Sequence, residues 1–382
     1  MTALLLHGDT ERSAALRHEL PIAIGDSLLF AEVDGRTYVL TSHLERDRLA
    51  RALPHAELLD LFDLGFKEFV AQGLSSVEAG REVEVRAVQE IGLREAIVPG
   101  DFPLALGDRL RQEGVTLTVD DEAVAQRRRK KTPAELDGIR AAQRAAEAGM
   151  AAAKALLAQA EPDGEGLRLD GKPLLAEDVR AALREACAAA GAPCPPDVIV
   201  ASVRQGGGGH EPGYGPLPAG LPIHVDLWPR HEDSACWADM ARTFVVGEPA
   251  PEHAERISRQ QELAAQALEQ AKSLVRPGVK GRELFDATCD LFEAAGYATQ
   301  RTAGPGDGDG FQFSLGHGVG LEVHEPPSLG LAGKYPLVGG DVIALEPGLL
   351  DSEVGVVISE DLVLVTEDGC EVLTQFPYDL AP

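Results

Sequence analysis

Apolar and polar positions alternate in the first part of the chain and then change rhythm. In "SLLFAEVDGRTYVLTS" two β-rich runs flank Asp34-Gly35, a pair that accepts the positive φ of a tight hairpin turn. "HLERDRLARAL" follows with helical spacing. The first 125 residues therefore predict a small α/β domain, and nothing in them forms a recognisable catalytic cluster. From Thr132 the period lengthens. Thr132 caps, Pro133 suits the first helical position, and Glu135 completes a T-x-x-E capping box. The helix runs through alanine-rich sequence to about Ala160, where "EPDGEG" stops it. A shorter helix over about 175–190, ending at Gly191, precedes a β-rich block at 198–246. The same order returns: helices at about 252–275 and 281–295, then β-rich blocks at 311–325 and 341–366. Helix, helix, antiparallel strands, twice over, predicts two related halves around a shared, mostly antiparallel sheet.

Five successive basic residues, Arg127 to Lys131, mark the boundary between the two parts in "AQRRRKKTPAELDGIR". The run reads as a solvated linker, with a docking patch as the alternative. The expected organisation is an N-terminal domain over 1–125, a linker over 126–132 and a larger domain over 133–382.

Bulk properties narrow the function. With 382 residues the chain is long enough for two full cores. A formal net charge of -27 argues against nucleic acid and anionic membranes as partners, because both repel an acidic surface. The five cysteines (Cys187, Cys194, Cys236, Cys289, Cys370) show no CxxC spacing. Their odd number and scatter argue for reduced thiols, with neither a disulfide framework nor a cysteine-bound zinc. The stretch "MTALLLHGDTERSAALRHEL" lacks the features of a signal peptide, and no run approaches the roughly 18 apolar residues of a membrane span. The expected location is the cytoplasm.

Two β-rich blocks hold carboxylates where burial is costly. In "LPIHVDLWPRHEDSACWADMARTFVVG", a turn about Glu232-Asp233 sets Asp226 opposite Asp239 on one face, with β-carbons about 4.5–5.5 Å apart. Both lie in apolar strands, where an unpaired carboxylate is unfavourable. In "GDVIALEPGLLDSEVGVVISEDLVLVTEDG", a turn around Glu353 likewise sets Glu346 opposite Glu360. Like charges directly opposite destabilise a hairpin, and no lysine or arginine is spaced to sit inside both pairs, which leaves metal ions. Four carboxylates and a histidine suit two divalent ions, Mn²⁺, Co²⁺ or Zn²⁺, without separating them. Such a pair activates water and polarises a carbonyl, so hydrolysis follows as the reaction class. A histidine source is "SLGHGVGLEVHEPP", where His317 and His324 lie seven residues apart. Glycines and a closing Pro326-Pro327 disfavour a helix there. Two short extended pieces with a bend between them would aim both rings into one cleft.

In these residues the chain resembles the pita-bread metallopeptidases, which include methionine aminopeptidase, aminopeptidase P and prolidase. The resemblance covers about 130–382. It implies an α+β catalytic domain of the pita-bread (creatinase/aminopeptidase) fold, preceded by a creatinase-like α/β domain. The family's ligand order Asp, Asp, His, Glu, Glu matches Asp226 in "HVDLW", Asp239 in "ADMARTF", His317 in "SLGHGVG", Glu346 in "ALEPG" and Glu360 in "ISEDLVLVTEDG". Carried over, Asp239 and Glu360 bridge two metals, Asp226 holds one, and His317 and Glu346 hold the other. Mn²⁺ is the leading candidate. A bridging hydroxide is then the expected nucleophile, with His324 stabilising the oxyanion and Glu346 shuttling a proton. His210 in "GGGGHEPGYGPLPAG" matches a histidine that contacts substrate in the proline-directed branch, on a loop glycine-rich enough to approach a ligand.

The N-terminal domain and the "EPP" signature favour the aminopeptidase P and prolidase branch, whose members are commonly homodimers in which that domain closes over the neighbouring active site. An Xaa-Pro dipeptidase is the leading expectation. An Xaa-Pro aminopeptidase acting on longer peptides is the rival, and a metal-free relative, hydrolase or binding module, is the reading of another class. Two departures bear on the choice. Ser328 and Ile358 stand where many relatives carry arginine, one of which binds the dipeptide's terminal carboxylate. Arg46 and Arg204 are the candidates to replace that cation.

Overall fold

The computed structural model describes residues 3–206 and 209–382. Gly207 and Gly208, part of the glycine loop expected to approach a ligand, lie outside the described residues. The chain divides into two compact units, Met1–Arg128 and Arg129–Pro382.

The first unit is built on β1 (Ala3–Gly8), β2 (Leu28–Val33), β3 (Arg36–Thr41), β4 (Glu57–Asp60), β5 (Glu95–Val98) and β6 (Thr116–Val119). They form one sheet in the order β4-β3-β2-β1-β5-β6. The hairpin between β2 and β3 pairs Val33 with Arg36, and Asp34 and Gly35 take φ of 49° and 77°. That two-residue turn with both φ positive matches the right-handed twist of the strands. Leu5, Leu29 and Val39 are buried with the helices on the sheet faces.

The second unit opens with the helix Pro133–Ala158. Thr132 Oγ1 accepts from the Glu135 amide at 3.2 Å, and the Glu135 carboxylate accepts from the Thr132 amide at 2.7 Å, the reciprocal box expected from sequence. Its buried face of Ala142, Ala145, Ala146 and Ala153 packs on a second helix, Ala176–Ala189. Between them lies a small sheet of β7 (Glu161–Asp163), β8 (Gly166–Leu169) and β9 (Lys172–Pro173). Then come β10 (Ile199–Ala201), β11 (Pro222–Leu227) and β12 (Met240–Val245), an antiparallel sheet in chain order. The second half repeats the plan with helices Pro251–Leu274 and Gly281–Ala294. Its strands are β13 (His317–Gly318), β14 (Glu325–Ser328), β15 (Val342–Leu345), β16 (Gly348–Asp351), β17 (Gly355–Ile358), β18 (Asp361–Val365) and β19 (Cys370–Val372). Strands β14-β13-β15-β18-β19 make one antiparallel sheet, and β16-β17 extends the ribbon beyond β15 and β18. Among the described residues no helix is long and apolar enough to cross a membrane.

The run Arg127–Lys131 is not a solvated linker. Arg128, Arg129 and Lys131 are buried. Arg129 donates to Asp341 Oδ1 at 3.0 Å and Oδ2 at 2.6 Å, and to Pro336 O at 2.8 Å. Lys131 donates to Glu325, itself buried. The run reads as solvated from sequence because the partners of Arg129 and Lys131 lie some two hundred residues away.

Candidate metal centre

Strand alternation sets the first carboxylate. In β11 the side chains of His224 and Asp226 share one face, and both line a cavity of about 940 Å³. The hairpin expected to pair Asp226 with Asp239 closes in a different register: Asp226 faces Ala241. The loop tip explains the difference. The His231 amide donates to Cys236 O at 2.8 Å, and Ala235 takes φ of 62°, so the turn is centred one residue further along than Glu232-Asp233. A shift of the turn by one residue slips the ladder by two, and a slip of two preserves the face. Asp239, just before β12, is thus a diagonal neighbour of Asp226 and still lines the cavity.

The second ribbon pairs as expected. Leu345 faces Asp361 and Gly348 faces Ile358, so Glu346 and Glu360 lie across from each other where the ladder is interrupted. There the backbone bonds elsewhere: Glu346 N–H to Leu315 O at 2.9 Å, and Glu360 N–H to Ala241 O at 3.1 Å. The latter bond ties the two halves together at the site. Thr243 Oγ1 reinforces it, donating to Ile358 O at 3.2 Å and accepting from Ile358 N–H at 3.0 Å. The guanidinium of fully buried Arg242 donates to Glu360 O and to Asp361 Oδ1 at 2.9 Å, holding the backbone beneath Glu360.

The short strand β13 is wedged between β14 and β15. A β-carbon at Gly316 would lie 1.9 Å from Ala344 O, so only glycine lets the chain pass this close before His317. His317 Nδ1 is 3.1 Å from Gly318 O. That carbonyl accepts the Nδ1 proton, leaving the Nε2 lone pair toward Asp239 Oδ2 and Glu346 Oε1, each at 3.6 Å. The His317 and His324 rings pack edge to face with centroids 4.2 Å apart, so the two extended pieces do aim both rings into one cleft.

The electrostatics of this cluster differ from those elsewhere in the unit. Asp341 pairs with Arg129, Glu325 with Lys131, and Asp361 with Arg242 and Lys272. Among the described residues, Asp226, Asp239, Glu346 and Glu360 have no lysine or arginine within ion-pairing distance; three of them have an imidazole nearby instead, His224 beside Asp226 and His317 beside Asp239 and Glu346. Burial lifts the Asp226 carboxyl to about 7. Burial, and then the neighbouring carboxylates, push Asp239, Glu346 and Glu360 well above the usual carboxylate range. Burial and the adjacent His324 depress His317 to about 4, so it is a neutral donor. Ligand atoms of Asp226, Asp239 and Glu360 lie within 4.8 Å of one another, as do those of Asp239, His317 and His324. Asp239 belongs to both groups. Asp226 Oδ1 is buried with no hydrogen-bond partner among the described residues. Oxygen-rich donors, an imidazole with its lone pair free and an orphaned carboxylate oxygen all fit divalent cations.

His210 is exposed and lines the same cavity, as do His324, Ser328 and Ile358. Arg46, in the first unit, is exposed. Arg204 is exposed, pairs with Glu165 at 2.9 Å and is not among the described residues lining the cavity. No lysine or arginine is among those residues. Of the titratable residues lining the cavity, sequence reasoning missed Asp197 and His224. The signal was present, since two-residue alternation in "IHVDLW" puts His224 on the face of Asp226.

Comparison with known proteins agrees with this geometry. Residues 137–367 match the model of metallopeptidase family M24. Over 143 residues the chain is 36% identical to an Xaa-Pro dipeptidase of Pyrococcus furiosus, a match covering 37% of this chain and 37% of that protein. An Xaa-Pro dipeptidase of Pyrococcus horikoshii matches at 34% over 143 residues, again 37% of each. The matched stretch thus spans little more than a third of the length of these curated relatives. The prolidase structure from Pyrococcus horikoshii OT3 superposes with a TM-score of 0.74 at 22% identity, covering 100% of this chain and 95% of that one. An X-Pro aminopeptidase from Thermotoga maritima MSB8 gives 0.74 at 20% identity, covering 100% and 95%. At that identity the superpositions establish the fold, which is that of the pita-bread peptidases. On the family match, over more than half of its length and containing every one of the clustered carboxylates, the chain belongs to metallopeptidase family M24.

Proposed function

We propose that the protein is a dinuclear Xaa-Pro dipeptidase that hydrolyses the peptide bond before proline. The observation that carries the reading is the set of four carboxylates, Asp239 and Glu360 buried and Asp226 and Glu346 half-buried, that have no lysine or arginine partner among the described residues, in a unit that pairs Asp341, Glu325 and Asp361 with cations. Asp226, Asp239, His317, Glu346 and Glu360 would hold two divalent ions. Mn²⁺ is the leading candidate, with Co²⁺ and Zn²⁺ the alternatives. When bound, the ions supply a water acidic enough to attack at neutral pH and a Lewis acid for the scissile carbonyl.

The chain's own residues supply the rest. Glu346, 3.6 Å from His317 on the cavity wall, takes the proton released on attack and delivers it to the departing imine nitrogen. His324, its ring against that of His317, donates a hydrogen bond to the oxygen on which charge develops. His210 holds the substrate on its proline side. Reduced cysteines, all five of them free, a cytoplasmic location and a homodimer complete the reading. Sedimentation of the full chain tests the dimer.

A second reading, an Xaa-Pro aminopeptidase acting on longer peptides, is favoured by one observation. Ser328 and Ile358 line the cavity, and no lysine or arginine is among its described lining residues. A dipeptide's terminal carboxylate buried without a cation is costly. The test is a length series of Xaa-Pro peptides with added Mn²⁺. The dipeptidase reading expects the dipeptide to be cleaved most efficiently, and faster turnover of extended peptides would install the aminopeptidase in its place. Metal analysis, with activity after chelation and re-addition, separates both from a metal-free relative.

A further inference from the structure

The match to metallopeptidase family M24 ends at residue 367, but the chain beyond it folds back onto the strands that carry the metal centre. Thr374 Oγ1 accepts from the Leu362 amide at 2.9 Å, and the Val245 amide donates to Leu380 O at 2.8 Å. The segment between these two bonds is thereby tied to β18, which follows Glu360, and to β12, which follows Asp239.

What the segment meets there is Arg242. Its side chain is 2% exposed, and each of its five N–H groups is costly to leave unpaired at that depth. Nη1 donates to Ala241 O at 2.9 Å and to Glu360 O. Nη2 donates to Asp361 Oδ1 at 2.9 Å. The last two donors are taken up by the segment: Nε by Pro377 O at 3.0 Å, and Nη2 by Phe376 O at 3.0 Å. The Tyr378 ring lies 4.6 Å from the guanidinium carbon. Its hydroxyl donates to Asp361 Oδ2, which also accepts from Lys272 Nζ at 2.7 Å.

These bonds converge on one peptide unit, the one joining Glu360 to Asp361. Side chains of adjacent residues in an extended chain leave on opposite faces, so Glu360 lines the cavity while Asp361 is buried behind it. A grip on the Glu360 carbonyl and on the Asp361 carboxylate sets the direction in which the Glu360 side chain springs, without entering the cavity. Apolar packing would hold the segment down equally well; directional bonds to the backbone behind a ligand also hold an angle.

We propose that the segment 374–380 supports the metal centre and that Tyr378, acting through Asp361 and Arg242, is a positioning residue for Glu360 that raises the affinity for a divalent ion. The proposal rests on the reading of Glu360 as a metal ligand and deepens it. Tyr378 is not among the described residues lining the cavity, so its effect reaches the ion only through the backbone it braces. Groups that orient a ligand typically change metal affinity by about ten- to a hundredfold, and a residue acting at one further remove belongs at the low end.

The test is calorimetric titration of the metal-free full chain with Mn²⁺, well below its melting temperature. Tyr378→Leu, which removes both ring and hydroxyl, should weaken the binding of at least one ion by about tenfold. Tyr378→Phe keeps the ring over Arg242 and loses only the hydroxyl, so its affinity should fall between that of Tyr378→Leu and the wild type; it also serves if the leucine variant fails to fold. Thr132→Ala, which destabilises the same unit at the cap of its long helix, should bind Mn²⁺ as the wild type does, which separates positioning from general stability. Wild-type affinity in the Tyr378 variants, or an equal weakening in Thr132→Ala, would overturn the inference while leaving the ligand set intact. A wild-type protein that takes up no Mn²⁺ overturns the ligand set and the inference with it.

Discussion

Removing a carboxylate from the cluster should stabilise the metal-free protein and destabilise the metal-loaded one. Asp226→Asn shows this most clearly, because the change is nearly isosteric. In the metal-free fold, burial holds the Asp226 carboxyl at about 7 against an ordinary 3.8. Between pH 4 and 7 the folded chain keeps a proton that the unfolded chain has released, so stability falls as pH rises through that window. The penalty is absent below it and complete above it. At 1.36 kcal/mol per pH unit, the interval amounts to about 4 kcal/mol. Asparagine never ionises and escapes this cost, but leaves amide groups short of partners, at about 1–3 kcal/mol. The net gain at pH 8 is therefore about 1–3 kcal/mol, or roughly 2–4 °C in Tm for each kcal/mol in a unit of this size. Near pH 4.5 the gain should vanish or change sign. With Mn²⁺ at about a thousand times its Kd, the wild type gains about 4.1 kcal/mol from the ion that Asp226 would hold, most of which the variant forfeits, and the order reverses. Differential scanning calorimetry in EDTA and in Mn²⁺, at both pH values, reads all four cases. A lower Tm for the variant in EDTA at pH 8, or the same shift at both pH values, would refute the reasoning.

Other substitutions probe the site and its frame. His317→Ala should reduce the bound metal from two ions toward one, measured by elemental analysis after dialysis, because its Nε2 lone pair faces Asp239 and Glu346. Lys131→Met should cost about 3–5 kcal/mol in denaturant unfolding by stranding the Glu325 carboxylate, and adding Glu325→Leu should restore most of it. Thr132→Ala removes the cap of the long helix and should cost about 1 kcal/mol with no change in metal affinity.

Much of the architecture was legible because its determinants are local. The capping box at Thr132, the alanine-rich helix after it and the Asp34-Gly35 hairpin depend on residues within a few positions of one another. The same holds for the ribbon carrying Glu346 and Glu360, whose register follows from one tight turn. Reading the first hairpin failed by two residues because hydrogen bonding within its loop, between His231 and Cys236, decided where the turn closed. The carboxylates survived that error, since an even slip keeps a side chain on its face. His224 went unnoticed because a histidine in an apolar strand declares nothing until the walls around it are known.

By itself the sequence determined the helices, the strand alternation and the identity of the acidic residues that face inward. Tertiary structure alone decided that those residues share one cavity with no lysine or arginine partner among the described residues, whereas Asp341, Glu325 and Asp361 each found one. It also decided that the basic run after Arg127 is largely buried. Arg129 reaches Asp341 across 212 positions and Lys131 reaches Glu325 across 194. The physical reason is the same in each case: hydrogen bonds along a helix or hairpin join near neighbours, but whether a charge is satisfied depends on what the fold brings beside it.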